Sequence, residues 1–383
     1  MIPHGRLLER LCLAIGGLAL IGCLLVGFAN PARGFVAYRF ALLFWTGLSL
    51  GGLSWLALHD VAGGAWGALG RASFEASGRM IGWMGLMFVP LLFGLDALYP
   101  WARPGEVARS TLLQHRLPYL NAPFFVIRTV LYFGLWTALG GQLTRHSERG
   151  AAGSAPRPPL RAWSTAWLLI YLFTASWAAI DWVVSSEPRW NSTIFGLLTI
   201  AGQMLSAIAL CALCMGLLSR RPELSSLQHL PRHFNDLGNL LLTGVMTWGY
   251  LVFSQLLIVW SGNLPDEAGW YTARLTGSWP GVAWLVCAFQ LALPFALLLF
   301  RAIKRHPVRL AAVAAMVLVA HLLYRYWELV PPSMPAGPLV QPIDGLAVLG
   351  VGGVWVGGFL WHLNRRPRLV PADPRLGMDV THA

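Results

Sequence analysis

The sequence predicts an all-α, polytopic membrane protein of about ten transmembrane helices, with both ends of the chain in the cytoplasm. Three observations predict it. Hydrophobic residues make up 56% of the 383 residues and charged residues only 11%, against roughly 25% charged in soluble domains. Apolar runs of about 20 residues, the length that crosses a bilayer, recur ten times. Basic residues are divided unequally between alternate connections.

The ten runs lie near 8–29, 36–58, 78–98, 120–143, 162–184, 193–218, 237–261, 279–300, 309–328 and 345–363. Four of them fill 1–144, and a Gly-, Ala- and Pro-bearing cytoplasmic connector follows at 145–161. The other six fill 162–363, before a mobile cytoplasmic tail at 364–383 with Pro367, Pro371 and Pro374. The first run is expected to be a retained helix. Its apolar stretch from Leu11 to Ala29 exceeds the roughly 7–15 residues of a signal core.

The connections on the side of both termini carry 19 Arg and Lys residues. The opposite side carries 7: Arg33, Arg39, Arg103, Arg109, Arg116, Arg189 and Arg274. Arg128 and Arg325 lie within spans. The positive-inside rule therefore puts the termini in the cytoplasm, and the net charge of +12 reads as loop bias rather than nucleic-acid binding. The five cysteines all lie in apolar runs. Cys211 and Cys214 form a C-x-x-C that reads as two small apolar residues rather than a metal or redox site.

The stretch SWAAIDWVVSSEPRWNSTIFG at 176–196 organises the rest. Pro188 breaks the helix before it, and Asn191 or Ser192 is placed to cap the one after. Trp182 and Trp190 suit a membrane interface. The result is a tight outer hairpin with Asp181 and Glu187 at its tip. Thr174, Trp177, Asp181 and Ser185 share one helical face. A carboxylate within a span costs about 3 kcal/mol if unpaired, so Asp181 needs a partner or a task.

At 1.5 Å per residue, Arg128 lies about 12 Å in from the outer face, Arg325 about 5 Å and His321 about 10 Å. With Asp96, Asp181 and Glu328 they fill the outer half of the bundle. Two readings stand: structural ion pairs, or a polar pocket or proton path opening outward. Thr243, Thr247, Tyr250 and Ser254 form one polar seam, with Gln203 and Gln290 near mid-depth. The seam reads equally as helix–helix hydrogen bonding or as part of a proton relay. His59 and His362 lie near one face and permit a haem pair, although interface histidines are the commoner case. Asn191-Ser192-Thr193 matches a glycosylation pattern that a helix cap explains as well. No phosphate loop, nucleophile elbow or zinc motif occurs.

The segments LYPW (98–101), PYLNAPFFVIR (118–128), AIDWVVSSEPRWNSTIFG (179–196), WGYLVFSQLLIVWSGNLPDEAGWY (248–271) and YWELVPP (326–332) carry a resemblance. They are similar to the second quinone-binding membrane subunit of alternative complex III, within the NrfD/PsrC-like membrane family. The resemblance spans about Phe35 to Pro332. It implies ten helices with a core of two four-helix bundles in the bacterial cytoplasmic membrane, and no haem or cluster on this chain. It also implies partners: haem c and iron–sulfur subunits on the periplasmic side, and a paralogous quinone-binding subunit. Asp181, Glu187 and Arg128 match its motif positions. Where the family has an acidic residue before the Tyr-Trp pair, this chain has Tyr324 and Arg325.

The expected function is that of a membrane subunit of a quinol:electron-acceptor (cytochrome c) oxidoreductase. It would supply contact to menaquinone or ubiquinone, a periplasm-facing proton path, or both. Asp181 and Glu187 are the proton-transfer candidates, with Arg128, Tyr250, Ser254, His321, Arg325 and Glu328 along the path. The alternatives are a non-catalytic scaffold for the haem and iron–sulfur subunits, or a transporter. The transporter lacks the paired broken spans its fold requires.

Overall fold

Apolar runs of this length leave the backbone only one way to satisfy its own hydrogen bonds in lipid, and every described element of the computed structural model is helical. The structure describes residues 5–151, 158–225, 227, 230–338 and 340–366. Residues 152–157 of the expected connector and the tail beyond 366 lie outside them.

The long elements are α1 (Gly5–Ala29), α2 (Pro31–Ala62), α3 (Ala65–Gly78), α4 (Ile81–Leu92), α5 (Ala122–Ala151) and α6 (Pro158–Trp182). They continue with α7 (Phe195–Leu218), α8 (Leu230–Gly262), α9 (Trp279–Leu299), α10 (Pro307–Leu329) and α11 (Pro342–Asn364). Among the described residues nine of these, all but α3 and α4, are long and apolar enough to cross a membrane. The chain is a multi-pass membrane protein.

α2 is the central pillar. It touches α1, α3, α4, α5, α6, α7, α10 and α11. Small residues permit this crowding. A Cβ at Gly51 would lie 2.1 Å from the main-chain oxygen of Gln203 in α7, so the two helices approach backbone to backbone.

The expected third span, 78–98, is not one helix. The chain runs back along α2 in two pieces, α3 and α4, separated by a turn at Arg79–Met80. Gly67 packs on His59, Gly78 on Leu53 and Gly94 on Phe35, so the pair lies antiparallel along most of α2. The first piece begins at Ala65, after a turn at Gly63–Gly64, and Arg71 and Glu75 within it are paired internally. Arg71 pairs with Asp60 at 3.2 Å and Glu75 at 3.1 Å, and Arg366 also pairs with Glu75. The expected connector is likewise shorter, because α5 continues to Ala151.

α1 lies antiparallel on α11. A Cβ at Gly16 would sit 2.5 Å from the backbone of Val354, and one at Gly353 would sit 2.5 Å from Gly16 Cα. Glu9 accepts a 3.4 Å bond from Asn364, so the first and last described helical turns end side by side. The hairpin after α6 also differs from expectation. α7 starts at Phe195 with no side-chain cap. Ser192 donates to Gln255 at 2.5 Å instead, and Asn191 accepts from Arg116 at 3.4 Å.

Because the α1–α11 contact is backbone to backbone, Gly353→Leu should destabilise the chain by about 1–3 kcal/mol through overpacking. Gly17→Leu, which meets nothing within 4 Å, should be close to neutral. Thermal unfolding of both variants in detergent measures the difference.

Candidate functional site

Asp181 sits one residue before the end of α6 and is fully buried. Arg128 of α5 meets it with two bonds, Nε to Oδ2 at 2.8 Å and Nη2 to Oδ1 at 2.9 Å. The Tyr132 hydroxyl donates to Oδ2 at 2.9 Å. Tyr132 is four residues beyond Arg128, one helical turn on the same face, so both reach one carboxylate. Arg128 is held from its other side as well. Its Nη1 donates to the Tyr119 carbonyl at 2.9 Å, and its Cζ lies 3.9 Å from the Tyr119 ring centre and 4.3 Å from that of Phe124. A bidentate pair with further hydrogen bonds is the arrangement that offsets removal of both ions from water.

Arg39 of α2 lies beside this cluster and is buried. Its Nη1 reaches the Trp182 carbonyl at 3.4 Å, which also accepts from the Tyr99 hydroxyl at 3.1 Å. It has no carboxylate partner among the described residues. The region around Asp181 therefore carries excess positive charge.

A second cluster forms at the hairpin tip and the end of α10. Glu187 pairs with Arg274, on the short helix Pro265–Leu275, through Nη2 to Oε1 at 2.5 Å and Nη1 to Oε2 at 3.3 Å. Arg274 also donates to the Glu328 carbonyl, from Nε at 3.1 Å and Nη2 at 2.6 Å. Its Cζ lies 3.7 Å from the Trp270 ring centre. The Glu328 carboxylate accepts from the Tyr324 hydroxyl at 3.1 Å and from Arg325 Nη1. Glu187 lines a crevice of about 450 Å³ with Glu106, Arg189, Trp190, Asp266 and Trp270. His321, one turn before Arg325, takes a 3.0 Å bond at Nδ1 from the Gln290 amide. Gln290 belongs to a π-helical stretch, Cys287–Ala292, inside α9, a distortion that turns its side chain toward α10 and that recurs at functional sites.

Inward of this cluster, Arg325 faces a cavity of about 20 Å³ shared with Thr46, Thr199 and Gln203. That is room for one water molecule and not for a quinone ring. The Thr46 and Thr199 hydroxyls and Arg325 Nε have no protein partner among the described residues. Gln203 Oε1 accepts from Tyr171 at 2.7 Å, and Trp167, stacked on Tyr171, donates to Ser54 at 3.4 Å.

The structure thus brings Arg128 to Asp181, and His321, Arg325 and Glu328 to one another, with Glu187 reaching them through Arg274. It does not join Asp181 to Glu187; each has its own arginine. Tyr250 is 69% exposed, Thr243 and Thr247 are exposed and Ser254 is half-buried. The seam faces away from the bundle because α8 packs its Leu237, Leu241, Val245 and Trp248 side inward. Asp96 is exposed and belongs to neither cluster. Trp177, expected to share the Asp181 face, is 53% exposed, whereas Trp182 and Trp190 are buried. Trp182 packs against Phe88, Phe133 and Tyr132.

Sequence reasoning missed Arg39, Tyr132, Tyr171, Arg274 and the buried pair Arg33–Asp344. The i, i+4 spacing from Arg128 was a signal for Tyr132. Arg274 gave none, since it lies in an outer connection. No family model and no curated protein matches this chain.

Removing Arg274 leaves Glu187 and the Glu328 carbonyl without their donor. Arg274→Ala should cost about 3–5 kcal/mol, whereas Tyr132→Phe, which removes one of several bonds, should cost about 1 kcal/mol. Denaturant unfolding of the full chain in detergent measures both.

Proposed function

We propose that this chain is a membrane subunit of a quinol:electron-acceptor oxidoreductase in the bacterial cytoplasmic membrane. In this reading both ends are cytoplasmic, and α3–α4 supply a tenth crossing. Its own part is an outward-opening proton path. The sequence segments similar to the alternative complex III subunit support the setting, with haem c, iron–sulfur and quinone-binding partners. One observation carries the path: Arg274 pairs with Glu187, which lines the crevice, and also holds the main chain of Glu328, whose carboxylate pairs with Arg325 inside the bundle.

Quinol oxidation releases two electrons and two protons. The electrons pass to partners that hold metal centres, and the protons need titratable groups leading to a face. Glu328, the Tyr324 hydroxyl and a water molecule in the space beside Arg325 would carry the proton inside the bundle, and Glu187 would receive it at the crevice. Because Arg274 between the two carboxylates keeps its proton, that last transfer needs a bridging water. Arg274 and Arg325 keep their protons and act as fixed positive charges that position the carboxylates. The cavity at Arg325 has no room for a ring, so no step of quinone chemistry is assigned to these residues. Asp181 takes a bracing role rather than that of proton acceptor.

The scaffold reading has its own support. Both Asp181 oxygens are taken by Arg128 and Tyr132, and such pairs fasten helices together. Glu328→Gln in the assembled complex separates the two. A proton path predicts roughly tenfold or greater loss of quinol-oxidation turnover, the low end of what a positioned acid–base group contributes, with subunit composition unchanged. Unchanged turnover supports the scaffold. Asp181→Asn should instead lower the yield of assembled complex.

A further inference from the structure

At the end of the bundle where the chain begins and ends, two hollows share the Trp361 side chain as a wall. One is an apolar slot of about 540 Å³ between α1, α4, α5 and α11. Glycines make it: Gly82, Gly140, Gly141 and Gly358 line it in place of larger side chains. It runs from a rim at Arg79, Arg145 and His362 down to Thr137 and Val354. Eight residues of α5 or α11 separate rim from floor, a depth of about 12 Å. The other hollow, about 590 Å³, is lined by Arg6, Arg10, Arg365 and Arg366 together with Glu9 and Asn364.

The charge on this rim is one-sided. Arg6, Arg10, Arg145 and Arg365 are exposed and have no carboxylate partner among the described residues. Among the described residues Glu9 is the one acid lining these hollows, and it is engaged with Asn364 at 3.4 Å. Arg365 is positioned, with its Cζ 4.1 Å from the Trp361 ring centre. A neutral ligand would leave these charges uncompensated, and a small free anion would leave the slot unfilled. An amphiphile with a negative head and an apolar tail matches both halves.

We propose that this end of the bundle is a binding site for an anionic phospholipid, with an acyl chain in the glycine-lined slot and the phosphate among Arg145, Arg365, Arg6 and Arg10. Basic hollows between helices at the headgroup level are suited to such lipids. The site is remote from the Glu187–Glu328 cluster and independent of the proton-path reading.

The test uses the full chain purified in mild detergent, stripped of lipid and titrated with phosphatidylglycerol, phosphatidylcholine or inorganic phosphate, with bound lipid read by native mass spectrometry. Two variants accompany it. Arg145→Gln with Arg365→Gln removes charge from exposed positions. Gly141→Leu fills the slot from a position where an added Cβ meets nothing within 4 Å. Phosphatidylglycerol should bind the wild type, and both variants should weaken it roughly tenfold or more, since each arginine near an anionic surface is worth about fivefold. Phosphate should not displace it. Equal binding of phosphatidylcholine, displacement by phosphate, or wild-type binding in both variants would overturn the proposal.

Discussion

Charge neutralisation away from water is the constraint on which this bundle depends. Among the described residues every buried carboxylate is met by an arginine: Asp181 by Arg128, Glu328 by Arg325, Asp344 by Arg33, and Glu75 by Arg71 and Arg366. Most of these pairs join separate elements. Each therefore fixes not only a distance but the rotation of two helices about their axes, because one turn of misalignment would leave both ions desolvated without compensation. Apolar packing against lipid supplies little preference between helix faces. The pairs, with the glycine contacts of α2 and of α1 on α11, supply it.

This distribution of charge gives the two acids of the hairpin different environments. Asp181 is enclosed, with both oxygens taken and two arginines beside it. Glu187 is partly open to the crevice, and its arginine reaches on to Glu328. The two acids of one hairpin tip thus have different surroundings. They are six residues apart, and the turn at Val184–Ser186 between them sends each to a different arginine.

Much of the fold was legible, because a run of apolar residues long enough to cross a bilayer has one stable conformation there. The exception is instructive. α3 was hidden by Arg71 and Glu75, whose charges lower hydropathy but cancel each other in space. Which residues face inward was less legible. The Thr243–Ser254 seam has perfect helical spacing, yet spacing defines a face and not its direction. The pairing of Asp181 with Arg128 was readable as a need, a carboxylate requiring a partner at similar depth. The link from Glu187 to Glu328 was not, since Arg274 comes from a short helix outside the spans.

Arg128 and Asp181 stabilise the bundle as a pair. A double-mutant cycle on unfolding of the purified chain tests it most directly, using Arg128→Met, Asp181→Leu and the two combined. The account predicts that each single change costs about 3–5 kcal/mol and that the double variant recovers most of the loss. Additivity of the two single losses to within about 0.5 kcal/mol would contradict it.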